Sequence, residues 1–184
     1  MTAPHHRRSI RLKNYDYRSP GAYYVTLCTD QRRFLLGRVA GRTVELSVTG
    51  RMVNQLWLEM PHHYDGVELD QFQVMPNHIH GIIMLNLGRG PPDCITSLPA
   101  VVQRFKSLSL TLYRRELVPS KAPRGTVTLW HRNYYEHVIR DEKELARIRQ
   151  YILDNPARWS FDRENPEAVE PEQAEAWEEP QEKD

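Results

Sequence analysis

Cysteine is scarce in this chain of 184 residues: there are 2, Cys28 and Cys94, at a spacing that matches no zinc site and no redox pair. A disulfide scaffold is therefore excluded, and a reducing, cytoplasmic compartment is expected. Long apolar runs are missing as well. Stretches such as Ile82–Leu85 fall far short of the roughly 20 residues needed to cross a bilayer. Met1–Arg11 is polar and basic, without the apolar stretch of a signal peptide. No G-x-x-x-x-G-K-[ST] loop occurs, so nothing points to a bound nucleoside triphosphate. Membrane, secreted and fibrous classes drop out, and the length suits one domain with room for a tail.

What is present is an uneven charge. Of 25 basic and 24 acidic residues, nine acidic and one basic fall in Glu164–Asp184, a net of −8, so residues 1–163 carry +9. A basic body suggests a polyanionic partner, with a solvated surface as the plain alternative. The expected organisation is a basic arm over residues 1–14, a folded domain over 15–160, and an acidic tail over 161–184 that is too polar to bury a core.

Along the body, Ala22–Thr29 is rich in β-formers and reads as a strand. Thr49–Met60 sets Val53, Leu56, Trp57 and Met60 at helical spacing. Val67–Met75 is a second strand, and Pro76-Asn77 marks a turn. His78–Leu85 is a third, apolar on both faces apart from its histidines, the pattern of a central covered strand. A loop over Asn86–Thr96 and a helix over Leu98–Leu117 follow. Val127–Trp130 reads as a last strand, extendable to Ile139. Asp141–Asn155 is a helix that opens on acidic residues and stops at Pro156. The series is βαββαβ with one helix added. Its expected packing is α+β and ferredoxin-like: an antiparallel sheet with helices on one face, plus the C-terminal helix.

The sharpest local feature is Pro76-Asn77-His78-Ile79-His80-Gly81. Residues two apart on a strand point the same way, so His78 and His80 set two imidazoles on one face. Such a pair can chelate a divalent cation, or it can be two core histidines satisfied by hydrogen bonds. His62-His63, adjacent and at a helix end, suits packing or surface. On the last helix Tyr151 and Asn155 are one turn apart beside the apolar stripe of Ile148 and Ile152. From that boundary a hydroxyl and an amide oxygen could reach a metal on the sheet. A boundary tyrosine and a C-capping asparagine remain the alternative.

The runs MPNHIHGIIML, QRFKS and LWHRNYYEHVIRDEKELARIRQYILDNPARW resemble the single-tyrosine HUH transposases, and within them the REP-associated tyrosine transposase branch. The resemblance spans Tyr15 to Trp159. It implies the ferredoxin-like sheet with the tyrosine helix beside a metal. It implies His78 and His80 as metal ligands, Asn155 as the third ligand, and Tyr151 as the nucleophile, with Tyr134 and Tyr135 as rivals read as packing or base-stacking residues. The implied cofactor is Mg²⁺ or Mn²⁺. The implied reaction is cleavage and rejoining of single-stranded DNA through a 5′-phosphotyrosine, on hairpin-forming repeats, by a nucleoid-associated monomer (a homodimer being the alternative).

DNA contacts are expected from Arg7, Arg8, Arg11, Lys13, Arg32, Arg33, Arg104, Lys106, Arg114 and Arg115 through phosphates, and from Tyr134 and Tyr135 through bases. Two other readings stand beside this one. A histidine-triad nucleotide hydrolase would need a third histidine where Ile82 stands. A non-catalytic single-stranded nucleic-acid module would stack bases on sheet aromatics, which His78–Leu85 lacks.

Overall fold

The alternation in β1 (Gly21–Cys28) decides the architecture, because both of its faces are apolar and both must be covered. In the computed structural model, which describes residues 15–87, 96–118 and 127–168, Tyr23, Val25 and Leu27 point into one core and Ala22 and Tyr24 into another. β1 pairs antiparallel with β5 (His78–Leu85) on one side and β6 (Tyr135–Ile139) on the other. β4 (Val67–Val74) pairs antiparallel with β5, giving the order β4-β5-β1-β6. With α1 (Val48–Leu58) and α3 (Leu98–Glu116) as crossovers, this is the expected ferredoxin-like plan.

The first core lies between the sheet and α1 and α3. Trp57 of α1 stacks on Phe72 of β4 at 4.6 Å between ring centroids and meets Phe105 of α3 edge-on. Gly81 of β5 lies directly beneath that indole, and any Cβ there would collide with it. The second core is made by α4 (Glu142–Asp154), which lays Leu145, Ile148 and Ile152 across Ala22, Tyr24, Ile82 and Ile139. Arg149 fixes the direction of α4 by a two-pronged bond to Asp70 of β4, at 2.8 and 2.6 Å. With helices on both faces, every residue of β5 except Met84 is buried, as its unbroken apolar pattern predicts.

Helix ends follow their caps. Ser47, Ser97 and Asp141 each accept the backbone N–H three residues on, opening α1, α3 and α4. α4 closes at Asp154, and a 3₁₀ segment, Asn155–Phe161, continues past Pro156. A four-residue helix, α2 (Met60–His63), carries His62 and His63 in its last turn, both exposed.

Three departures from the sequence reading matter. A two-stranded hairpin of β2 (Gly37–Ala40) and β3 (Thr43–Leu46) precedes α1. The last strand begins at Tyr135, and Val127–Trp130 forms only an isolated bridge from Trp130 to Thr29. The Trp130 side chain turns toward α3, where its indole N–H donates to Ser109 Oγ at 2.8 Å. Lys106 adds to this by holding the carbonyls of His131 and Arg132, at 2.7 and 2.9 Å. Third, within residues 161–168, read as the start of the tail, Asp162 and Asn165 are buried and Asp162 reaches the histidine pair. The arm 1–14, most of the loop (88–95) and residues 169–184 lie outside the described residues. Among those described, no helix is long and apolar enough to cross a membrane.

Candidate metal centre and tyrosine site

His78 and His80 stand on the α4 face of β5, and neither is exposed at all. Their Nε2 atoms are 2.9 Å apart. Each ring is steered from its other nitrogen. Asn77 gives its amide N–H to the carbonyls of Glu164 and Arg32, at 2.6 and 3.3 Å, which turns Oδ1 toward His78 Nδ1 at 2.8 Å. An amide oxygen only accepts, so His78 Nδ1 carries the proton and its Nε2 presents a lone pair. His80 Nδ1 faces two hydroxyls, Tyr24 at 2.7 Å and Thr26 at 2.9 Å. Hydroxyls both donate and accept, so this ring can place its proton on either nitrogen. Both imidazoles can therefore offer Nε2 to a common third atom.

Burial holds both rings in the neutral form that ligates metals. Desolvation, with help from the nearby Arg32 cation, pushes His78 down to about 3. His80 lies well below its ordinary value, through burial first and the neighbouring His78 second.

Two elements close over the pair. α4 brings the Tyr151 ring within 5.3 Å of the His80 ring and 6.3 Å of Tyr24, half-buried at the boundary that its spacing predicts. Asn155, at the end of the same helix, is buried, and its Oδ1 has no hydrogen-bond partner among the described residues. The following segment sets Trp159 6.0 Å from His78 and brings Asp162 Oδ2 to 3.8 Å from His78 Nε2. His78, His80 and Asp162 can each place one ligand atom so that all three lie within 4.8 Å of one another. Glu164 anchors this segment: it accepts from Cys28 Sγ at 3.0 Å and pairs with Arg32 at 2.8 Å.

Tyr24, Thr26, Asn77, Trp159 and Asp162 escaped the sequence reading. Tyr24 and Thr26 could have been found from alternation once β1 was paired with β5, because Thr26 sits opposite His80. Asp162 lay hidden in a run that reads as tail.

Of the rival tyrosines, Tyr135 shares the histidine face, 6.0 Å from Tyr24, whereas Tyr134 packs into the opposite core. Several expected phosphate contacts are engaged within the chain. Arg32 binds Glu164 and the Arg163 carbonyl, Arg33 the carbonyls of Asp30 and Thr128, Arg114 that of Val127, and Arg115 binds Glu116. Lys106, held by its two carbonyls, is lowered by burial to about 8. Arg104 is exposed on α3. Arg7, Arg8, Arg11 and Lys13 lie outside the described residues.

Comparison with known proteins matches the sequence of the chain to a family. The family described as transposase IS200-like matches residues 22–155. An uncharacterized protein of Haemophilus influenzae is 38% identical over 173 residues, covering 86% of this chain and 92% of its own. A second protein of that organism, named as a candidate REP-associated tyrosine transposase, is 25% identical over 88 residues, 48% of each chain. Among solved structures, a REP-associated tyrosine transposase bound to a REP hairpin superposes with a TM-score of 0.52 at 18% identity, over 83% of this chain and 75% of that one. At that identity the likeness is one of fold.

Proposed function

The chain belongs to the IS200-like transposase family, and from that premise we propose that it is a metal-dependent single-stranded DNA endonuclease and strand transferase whose nucleophile is Tyr151. One observation carries the reading: two buried, neutral imidazoles with Nε2 atoms 2.9 Å apart, and the Tyr151 ring against one of them.

The residues fit a divalent cation. Neighbouring ligands on an octahedral ion with bonds of about 2.1 Å stand about 3 Å apart, which is the separation of the two Nε2 atoms. The unpartnered Oδ1 of Asn155 supplies a hard oxygen on the same side of the sheet. His78, His80 and Asn155 would hold Mg²⁺ or Mn²⁺. Bound there, the ion would polarise a non-bridging oxygen of the scissile phosphate.

Tyr151 attacks phosphorus through its hydroxyl oxygen. A bond from that oxygen to phosphorus forms while the bond to the 3′-oxygen breaks, leaving a 5′-phosphotyrosine and a free 3′-hydroxyl. The ester is exchanged rather than hydrolysed, so a second 3′-hydroxyl can reverse the step without ATP. Tyr24 and Thr26 hold the His80 ring, and Asn77 holds that of His78.

The proposed substrate is hairpin-forming repeat DNA, a reading supported by the hairpin bound to the superposable transposase. Exposed Arg104 and the N-terminal basic residues would meet its phosphates. The proposed active unit is a monomer, with α4 held on the sheet by the Arg149–Asp70 fork.

The test is to incubate the full chain with single-stranded hairpin oligonucleotides and Mn²⁺ and run a denaturing gel. A protein band carrying covalent DNA, lost in Tyr151→Phe and in His78→Ala, is expected. A shift on a native gel without an adduct would make the chain a binding module instead.

A further inference from the structure

The family match ends at residue 155, yet the chain delivers one more charged group to the histidine pair. Asp162 is 7% exposed, and its two oxygens differ in their surroundings. Oδ1 accepts the Glu164 N–H at 2.6 Å, a local turn that fixes the carboxylate. Oδ2 is buried, has no hydrogen-bond donor among the described residues, and stands 3.8 Å from His78 Nε2. A buried carboxylate oxygen without a donor is costly in a folded protein unless a cation meets it. Glu164 holds the segment in place from outside by its bonds to Cys28 and Arg32, so the position of Asp162 does not depend on the histidines.

We propose that Asp162 is a protein ligand of the cation held by His78 and His80, so that the residues after the tyrosine helix form part of the metal centre. The inference rests on reading the histidine face as a metal site. A carboxylate adds a negative charge that two imidazoles and an amide lack, and the resulting set of two histidines, an amide oxygen and a carboxylate suits first-row divalent ions.

The test reads Mn²⁺ binding alone, without DNA, from the loss of the free-ion electron paramagnetic resonance signal as full-length protein is added. Asp162→Asn keeps an oxygen for the Glu164 N–H and removes the charge. It is expected to raise the Mn²⁺ Kd about tenfold or more, with the metal-free circular dichroism unchanged and the metal-free melting temperature not lowered. Asp162→Glu should recover part of the affinity. If Asp162→Asn does not fold, Asp162→Ser, which also keeps an oxygen acceptor, is read in the same way. Equal affinity in wild type and Asp162→Asn would overturn the assignment while leaving the metal centre intact. Tighter binding in the variant would overturn it too, by making Asp162 an obstruction. Absence of Mn²⁺ binding in the wild type would instead remove the metal centre itself.

Discussion

The polar groups around His80 show how much of this site depends on side chains that carry no chemistry themselves. Tyr24 and Thr26 both reach Nδ1, and Thr26 also donates to the Tyr24 hydroxyl, at 3.1 Å. Losing one of them leaves the ring held by the other. Tyr24→Phe should therefore cost at most about tenfold in Mn²⁺ affinity, and Tyr24→Phe with Thr26→Val more than the two single changes combined; titration calorimetry on the three variants checks this. The histidines also set an acid limit. Their folded values lie below the unfolded one of 6.5, so the unfolded chain binds more protons and stability rises with pH. Metal-free protein should keep this contribution above about pH 6.5 and lose it progressively as pH falls toward about 3, the folded value of His78. Urea unfolding at a series of pH values would show it, and a flat profile across that window would contradict it. At this scale the strand period put His78 and His80 on one face and the helix period put Tyr151 and Asn155 one turn apart, while their proposed roles came from the family resemblance. Asp162 was not legible, because short-range spacing cannot show that a polar segment doubles back onto a sheet.

α4 is the element on which the proposed chemistry depends, since one short helix carries Tyr151 and the second core together. Ile148 is fully buried in that core. Ile148→Ala removes apolar contacts and leaves a cavity, a cost of about 2–5 kcal/mol, visible as a lower melting temperature in the metal-free protein. Loosening the helix this way should also reduce Tyr151 reactivity, although Ile148 touches no substrate. On the opposite face Gly81→Ala forces a methyl into Trp57, an overpacking cost of about 1–3 kcal/mol. Elements with long periodic patterns, α3, α4 and β5, were readable to within a residue or two. The β2–β3 hairpin was missed because each strand has only four residues and none is fully buried, so little apolar alternation marks it. The start of β6 was misplaced because Trp130 is a β-forming residue whose indole is claimed by Ser109 of α3.

Over the whole molecule, net charge overstates the surface available to DNA. A body at +9 with many arginines suggests a broad phosphate-binding face, but several of these cations are bonded to carbonyls or carboxylates of their own chain. Lys106→Met should therefore lower the melting temperature while leaving the salt dependence of DNA binding unchanged. Arg104→Ala should leave the melting temperature unchanged and reduce that slope by about one. Fluorescence anisotropy with a labelled oligonucleotide across a salt series separates the two; an equal effect of both changes on the slope would restore the broad face. The sequence could supply the sum of charges, but only the fold shows which of them are already paired.

The proposed chemistry requires Tyr151 to become covalently joined to a 5′-phosphate of single-stranded DNA. Mass spectrometry tests it most directly: the chain is incubated with a hairpin oligonucleotide and Mn²⁺, digested with nuclease and protease, and searched for the modified peptide. A nucleotide-bearing peptide containing Tyr151 is expected, and it should disappear in His78→Ala. The same mass on a peptide carrying Tyr134 or Tyr135, with Tyr151 unmodified, would contradict it.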